Sequence, residues 1–113
     1  MSIKKSFGAS LTGTSQDIYE VPAGKRAHWV LMYVSNTSGS NGNCDVDFYD
    51  ASATATLPVL DGYTVTAKQY FQIGGDYNSF ITMEEGDKIS ASATQTMTIL
   101  LSVIEENAVI QGG

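Results

Sequence analysis

The sequence has few of the residues from which catalytic and metal sites are usually built. Its 113 residues include one cysteine, Cys44, and one histidine, His28. A lone cysteine cannot form an internal disulfide, which agrees with folding in a reducing compartment, and we expect Cys44 to be a small buried residue in a strand. A metal-binding double-stranded barrel usually offers two histidines and a carboxylate, so this sequence cannot build that site from His28.

Nucleophilic chemistry has equally little support. A serine, threonine or cysteine nucleophile needs a base beside it, and the sequence contains no Gly-x-Ser-x-Gly motif. His28 adjoins Trp29 in the longest apolar stretch, so we expect it to be a core or interface residue. We therefore predict no catalytic residue, no cofactor and no enzymatic activity.

Two acidic groups are predicted to be structural. Asp45 and Asp47 could offer oxygen ligands to a hard cation such as calcium, but no calcium-loop motif with its closing glutamate accompanies them. Their alternation with apolar residues favours a solvated strand face. Glu84, Glu85 and Asp87 are expected to form an exposed turn. The sequence therefore predicts no metal site.

Basic residues and long apolar runs are scarce as well. Six Lys and Arg side chains against twelve Asp and Glu give a formal net charge of -6, which repels phosphate backbones and anionic lipid surfaces. We therefore predict no nucleic-acid partner and no membrane partner. No run reaches the ~18 apolar residues of a membrane helix, and Lys4 and Lys5 precede no apolar block of the kind found in secretory signals. We expect a soluble protein made in a cytoplasm.

What the chain does contain is typical of a small domain of short strands. Its length suits one domain with a single core, and glycine is abundant, with 11 residues. Charged residues make up only 16% of the chain, which leaves few charges to keep the surface soluble. We expect much of the surface to serve in contacts.

The longest apolar stretch lies at residues 21–36 and is expected to form the central strand. Pro22 and Gly24 favour a tight turn at its start, and small polar residues end it after Asn36. Both alternating sets of side chains are largely apolar, whereas a strand with one wet face alternates apolar with polar. We therefore predict a strand covered on both faces, by a second layer or a neighbouring subunit. The two sets are Ala27, Trp29, Leu31 and Tyr33, and His28, Val30, Met32 and Val34.

Alternation also predicts strands elsewhere in the chain. Residues 44–50 alternate apolar with polar side chains, which indicates a strand with one face exposed to solvent. Pro58 restricts its own strand to an edge or an irregular stretch, because proline has no N–H to donate to a neighbouring strand. The last strand, at residues 96–104, places four large apolar side chains on one face and two more on the other. The four are Met97, Ile99, Leu101 and Val103, and the two are Leu100 and Ile104.

Turn signals separate these strands. A turn is expected at Asp61 and Gly62, and a change of parity within residues 63–73 predicts a bulge or break near Lys68. Two units, at residues 22–27 and 84–89, resemble each other, since each places a glycine in a tight turn ahead of an alternating strand. Two such corners are typical of a jelly roll built from paired Greek keys.

These signals together predict the fold class. Eight or nine strands at a spacing of about 8–12 residues, with no convincing helix, indicate an all-β protein. We expect a single-domain antiparallel β-sandwich, jelly-roll-like, with about eight strands, over residues 1–113. Residues 1–15 are expected to be an extended N-terminal arm or an edge strand, and residues 106–113 a C-terminal tail.

Several motifs resemble small virion proteins of tailed bacteriophages. The resemblance covers roughly residues 18–106 and implies a β-sandwich or jelly-roll protein that cements capsids, although similar sequences occur among tail and neck components. It implies no catalytic residue and no ligand motif. The motifs are Tyr-x-Val-Pro-Ala-Gly-Lys at 19–25, the apolar strand ending in Ser-Asn at 30–36, Val-Asp-Phe-Tyr-Asp at 46–50, Gly-Gly at 74–75, Glu-Gly-Asp-Lys-Ile-Ser-Ala at 85–91 and Leu-Ser-Val-Ile-Glu at 101–105.

The leading functional hypothesis is therefore a capsid decoration, or cement, protein of a virion. Its expected partner is the major capsid protein, and it is expected to form a homo-oligomer. Because flexible termini can order on docking, deletion of residues 1–15 is expected to leave a folded domain that binds capsids poorly. The alternative is a tail or neck accessory protein, or a carbohydrate-binding module that recognises host surface glycan through an exposed tyrosine such as Tyr49 or Tyr77.

Overall fold

The computed structural model describes residues 2–74 and 81–108. These residues form nine strands and no helix, and every pair of neighbouring strands is antiparallel, so the predicted all-β sandwich is confirmed. Among the same residues there is no helix of the length and apolarity needed to cross a membrane. The strands are β1 (Ile3–Leu11), β2 (Gln16–Glu20), β3 (Lys25–Asn36), β4 (Gly42–Asp50), β5 (Ala55–Val65), β6 (Tyr70–Gly74), β7 (Ile81–Met83), β8 (Lys88–Ala93) and β9 (Met97–Asn107).

The strands are divided between two sheets in jelly-roll order. Sheet A has the order β1-β9-β3-β6, with β7 also paired to β3, and sheet B has the order β2-β8-β4-β5. Strands β6 and β7 pair with different parts of β3, at 31–35 and 27–29, so they occupy one position in sheet A. Counted this way, each sheet has four positions, and the order is the one that two Greek keys produce.

The core lies between the two sheets and is filled by alternating inward side chains. All four large apolar residues predicted to share a face of β9 are fully buried. Sheet B contributes smaller side chains from β4 and β8. The core side chains with least exposure include Trp29, Met32, Val34, Cys44, Val46, Met83, Ile89, Met97, Ile99, Leu101 and Val103.

Strand β3 lies centrally in sheet A, as predicted, and among the described strands a second sheet covers only its inner face. The register against β9 shifts between Trp29 and Leu31, so Val30 forms a bulge. Trp29 and Val30 are therefore both buried, whereas Leu31 and Tyr33 lie on the outer face and are only half-buried. Within this chain the doubly apolar pattern comes from a change of parity and not from a second layer over both faces, and cover of the outer face by a neighbouring subunit stays a prediction.

Gly74 supports this bulge at the end of β6. Its φ is +84°, a region that residues with a Cβ rarely adopt, and an added Cβ would collide with the carbonyl oxygen of Val30. Glycine at this position is therefore required twice, by its backbone conformation and by the close approach of β6 to β3.

The connections in the second half of the chain differ from the expected pattern at one point. Gly62 has a φ of +65° but lies inside β5, where the register against β4 is irregular, so the predicted turn is a bulge. The expected break near Lys68 is confirmed, since the chain leaves sheet B after Val65 and enters sheet A at Tyr70. Pro58 lies in β5, an edge strand, as predicted.

The two similar corner turns contact each other. The Val21 N–H donates to the Asp87 carbonyl at 2.9 Å, and the Gly86 N–H donates to the Val21 carbonyl at 3.1 Å. The Gly24 N–H donates to a carboxylate oxygen of Glu85 at 2.8 Å. The corner at the start of β3 is therefore fastened to the corner at the start of β8.

Asp87 is only 5% exposed, so the prediction that it lies in an exposed turn was wrong. Its carboxylate accepts hydrogen bonds from the Ala51 N–H at 2.9 Å and the Glu84 N–H at 2.8 Å. The two hydrogen bonds offset part of the free energy that burial of this carboxylate costs, and they also satisfy the two backbone N–H groups. Asp87 therefore fixes the corner and the β4–β5 connection at the same time, while Glu84 and Glu85 are exposed as predicted.

The termini also belong to the sandwich. Strand β1 pairs with β9 along its whole length, Leu11 is buried, and Phe7 packs against the core, so residues 3–11 form an edge strand. Strand β9 continues to Asn107, and residues 109–113 of the predicted tail lie outside the described residues. Gly75 of the Gly-Gly motif also lies outside the described residues.

Replacing Gly74 with alanine is expected to destabilise the fold by about 3 kcal/mol, from backbone strain together with the collision at Val30. Urea unfolding measures the loss. Gly13→Ala is the matched control, because a Cβ at Gly13 meets open space and its φ is not positive. Equal stability of the two variants would contradict this account of the bulge.

Deleting residues 1–15 is expected to destabilise the domain, contrary to the expectation from sequence alone. The deletion removes the pairing partner of β9 and the buried side chain of Leu11, which exposes a new sheet edge. Circular dichroism during thermal unfolding measures the change. A deletion variant that melts at the wild-type temperature would contradict the structural role of β1.

Candidate docking surface

His28 lies on the outer face of β3, where it is half-buried, and not in the core. Its Nε2 atom is 3.2 Å from a carboxylate oxygen of Glu106, and its Nδ1 atom is 3.4 Å from the hydroxyl of Thr82. It therefore links β3 to β9 and to β7 across the surface. Within the described ranges, no group of three or more His, Cys, Asp or Glu side chains is arranged to hold a metal ion.

Cys44 is fully buried in β4, as expected. Burial, and then the negative charge of Asp45, raise the pKa of the Cys44 thiol to about 11. The thiol is consequently neutral at pH 7 and inaccessible, which leaves it without nucleophilic character.

The outer face of sheet B is acidic. Asp45 is exposed and accepts a hydrogen bond from the Gly62 N–H at 2.6 Å. Partial burial, followed by the charges of Asp45 and Asp61, raises the pKa of Asp47. The register of β2, β4 and β8 places four carboxylates and one ammonium group on the outer face: Asp17, Glu20, Asp45, Asp47 and Lys88.

The outer face of sheet A carries a cluster of large apolar side chains, which we call the apolar face. The register places Tyr33 beside Leu100, and Leu100 is 44% and Tyr70 62% exposed. The rings of Tyr33 and Tyr70 stack with centroids 5.1 Å apart. The apolar face consists of Leu31, Tyr33, Tyr70, Leu100 and Ile104.

Small residues of β1 complete this surface. Gly8 pairs with Leu100, whose side chain lies over it, so a Cβ at Gly8 would be 2.8 Å from a Leu100 methyl group. The hydroxyls of Ser6 and Ser102 are 2.9 Å apart, and Ser102 is buried. These two hydroxyls are therefore paired within the chain.

Charges on the outer face of sheet A are balanced and lie at one end. Lys4 and Arg26 are matched by Glu84 and Glu106, which gives a formal charge of zero for the charged side chains that the described strands and the adjoining Glu84 present there. Arg26 Nε is 3.1 Å from a carboxylate oxygen of Glu84. The two outer faces of the sandwich therefore differ, since one is acidic and the other is neutral and apolar.

The aromatic residues proposed for sugar binding have varied surroundings. Tyr49 is half-buried, with the Lys88 ammonium 5.6 Å from its ring centroid, so one face of the ring is occupied. Tyr63 packs on Phe71 with centroids 4.5 Å apart. Tyr77 lies outside the described residues. The open stacked pair, Tyr33 and Tyr70, belongs to the apolar face.

A shallow cleft of about 280 Å³ lies at one end of the sandwich, between the β1–β2 and β8–β9 connections. Its lining is mainly small and polar and includes no aromatic or charged side chain, so it lacks a stacking platform and a titratable group. The lining residues are Leu11, Thr12, Gly13, Ala93, Thr94, Gln95 and Thr96.

Comparison with known proteins shows the fold alone. No family model and no curated protein matches the sequence. Among solved structures, a chain of the Bacillus endospore appendages, which form disulfide-linked pili, has a TM-score of 0.58 at 15% identity, over 96% of this chain and 88% of that chain. A chain of the acid-stable capsid of Helicobacter pylori bacteriophage KHP30 has a TM-score of 0.53 at 14% identity, over 97% of both chains.

A polar contact between the sheets lies behind these surfaces. Glu105, only 5% exposed, accepts a hydrogen bond from the Tyr19 hydroxyl of sheet B at 2.6 Å and forms an ion pair with Lys5 at 3.0 Å. Burial alone raises its pKa, but the hydrogen bonds from Tyr19 and Lys5 and the charges of Lys5 and Lys25 outweigh burial, so the pKa of Glu105 is lowered. Burial, and then Glu105, raise the pKa of Tyr19.

Glu105 is therefore expected to make stability depend on pH in the acid range. Its folded-state pKa is below the unfolded value of about 4.3, so its ionised form stabilises the fold above that pH and the contribution is lost as the pH falls through the folded-state pKa. Glu105→Gln is expected to lower the free energy of unfolding by about 1–2 kcal/mol at neutral pH, and this difference is expected to shrink near pH 3.

Urea unfolding of both proteins at the two pH values tests this prediction. Glu106→Gln is the matched control, because Glu106 is its neighbour on β9 but its carboxylate is directed to the surface, and its effect is expected to stay within about 0.5 kcal/mol. A difference between wild type and Glu105→Gln that is the same at both pH values would contradict the assignment.

Proposed function

We propose that the protein is a structural component of a virion, and specifically a capsid decoration protein that bridges adjacent major capsid subunits. The observation that carries this proposal is the apolar face, a neutral surface on a sandwich whose opposite face is acidic. Exposed apolar clusters of this kind mark sites of protein association. The function is therefore attachment by surface contact, with no chemical step.

The fold likeness supports a structural role, since a chain from a phage capsid matches this one over 97% of both lengths. Another similar fold comes from pili that are linked by disulfides. A disulfide-linked polymer needs accessible thiols, but the one cysteine of this sequence is buried. The chemistry of this chain therefore favours the capsid role over a covalently linked fibre.

Physical considerations also favour a bridging role. Pressure from packaged DNA loads the joints between capsomers, and a rigid sandwich placed across a joint adds buried area without chemistry. A specific contact ordinarily buries ~1,600 Å² in total, and a lattice repeats that contact many times, so modest affinities suffice. The protein is made in the host cytoplasm, forms a homo-oligomer and becomes part of the virion.

The alternative functions are a tail or neck accessory protein and a carbohydrate-binding module. One observation favours the second, because the stacked pair of Tyr33 and Tyr70 includes a ring that is 62% exposed. Sugar rings pack on open aromatic faces. Two results together would favour this function: binding to a glycan array that Tyr70→Ala abolishes, and absence of the protein from capsids.

Locating the protein on purified virions tests the proposal. Mass spectrometry of particles of the encoding phage is expected to find the chain in a fixed ratio to the major capsid protein, and immunogold labelling is expected to cover the shell. Labelling confined to the tail or neck would favour the accessory role. Absence of the chain from purified particles would overturn the structural virion role.

A further inference from the structure

We propose that two copies of this chain pack against each other through their apolar faces, around a two-fold axis that places Leu100, Tyr33 and Tyr70 of each copy in one interface. The proposal rests on the proposed function and specifies how its homo-oligomer is built: the apolar face joins the two copies, and the other surfaces of the dimer are left to contact the capsid. It can be tested on the isolated protein, so that its failure and the failure of the capsid role are separate results.

The outer face of sheet A, on which the apolar face lies, has the size that such an interface needs. Sheet A is four positions wide, and β3 and β9 have 12 and 11 residues. With strands ~4.8 Å apart and a rise of ~3.3 Å per residue, the sheet covers about 600 Å² in projection. A corrugated side-chain surface has more accessible area than its projection, and a standard interface takes ~800 Å² from each partner.

Charge selects a second copy as the occupant. The chain carries a formal charge of -6, so two copies repel each other in most orientations. The outer face of sheet A has a formal charge of zero among its described residues, and the acidic side chains of sheet B lie on the opposite side of the molecule. Packing sheet A against sheet A therefore keeps the two acidic faces as far apart as the molecule allows.

The end charges of the face also fit a two-fold arrangement. Arg26 pairs with Glu84 and His28 contacts Glu106 within each copy, so both carboxylates already have partners before two copies meet. A two-fold interface brings the same patch of each copy together, which a neutral and apolar patch permits. Two sheets meeting in this way pack ~10 Å apart, like the layers of a sandwich.

Sedimentation velocity on the purified full chain is the first test. The wild type is expected to sediment as a dimer of about 24 kDa, twice the chain mass of 12.1 kDa, at protein concentrations of about 50 µM. Because the contact is apolar and neutral, the dimer is expected to persist when the salt concentration is raised to about 1 M. A monomer under all these conditions, or a larger assembly with no dimer, would overturn the proposal.

A pair of leucine variants then locates the interface. Leu100→Glu is expected to weaken dimerisation by at least about 100-fold, because each interface would bury two unpaired carboxylates. Leu57→Glu is the matched control, since Leu57 is 51% exposed in β5 at the edge of sheet B. It is expected to leave the dimer intact.

Tyr70→Lys is a second variant on the apolar face and is expected to weaken the dimer as well. Circular dichroism shows whether Leu100→Glu is folded. If it is not, Tyr70→Lys still tests the interface. A dimer that survives both changes on the apolar face, or one that is lost in Leu57→Glu alone, would overturn the assignment of this surface.

Discussion

The fold depends on a single irregularity in its central strand. The bulge at Val30 lets Trp29 and Val30 both enter the core and reverses the side-chain parity of the rest of β3. Since a strand alternates faces with period two, one extra residue exchanges the inner and outer sets. Leu31 and Tyr33 thereby reach the outer face, and the close approach of Gly74 supports the bulge from β6. The core and the docking surface are thus consequences of one backbone feature.

The remaining constraints hold the two sheets together through polar groups. The corners at Gly24 and Gly86 are fastened by mutual hydrogen bonds, and Asp87 fixes the second corner to the β4–β5 connection. Glu105 and Tyr19 join the sheets at β9 and β2. Each of these acceptors is satisfied, which is the condition under which buried polar groups specify a fold. A core rich in Met, Val and Ile fills the space between the sheets, and the polar contacts fix how the corners and strands are placed around it.

Most strands could be predicted from the sequence, because alternation and turn residues act locally. The inward face of β9, the edge position of Pro58 and the break near Lys68 all followed from patterns within a few residues. The bulge at Val30 could not be predicted, since two apolar sets in one strand fit either a doubly covered strand or a change of parity. Asp87 was missed for a similar reason, because its backbone partners come from a distant connection. The candidate site was missed as well, since the apolar face is assembled from β3, β6 and β9.

The two outer faces of the sandwich separate charged from apolar surface in a chain with few charges. Carboxylates gather on the outside of sheet B, whereas the charged residues on the outside of sheet A cancel. Net repulsion between copies then acts through one side of the molecule, and apolar contact is available on the other. Position on the sandwich, more than the total of charges or apolar residues, determines which surface can associate. A net negative charge on the whole chain is therefore compatible with one neutral, apolar surface.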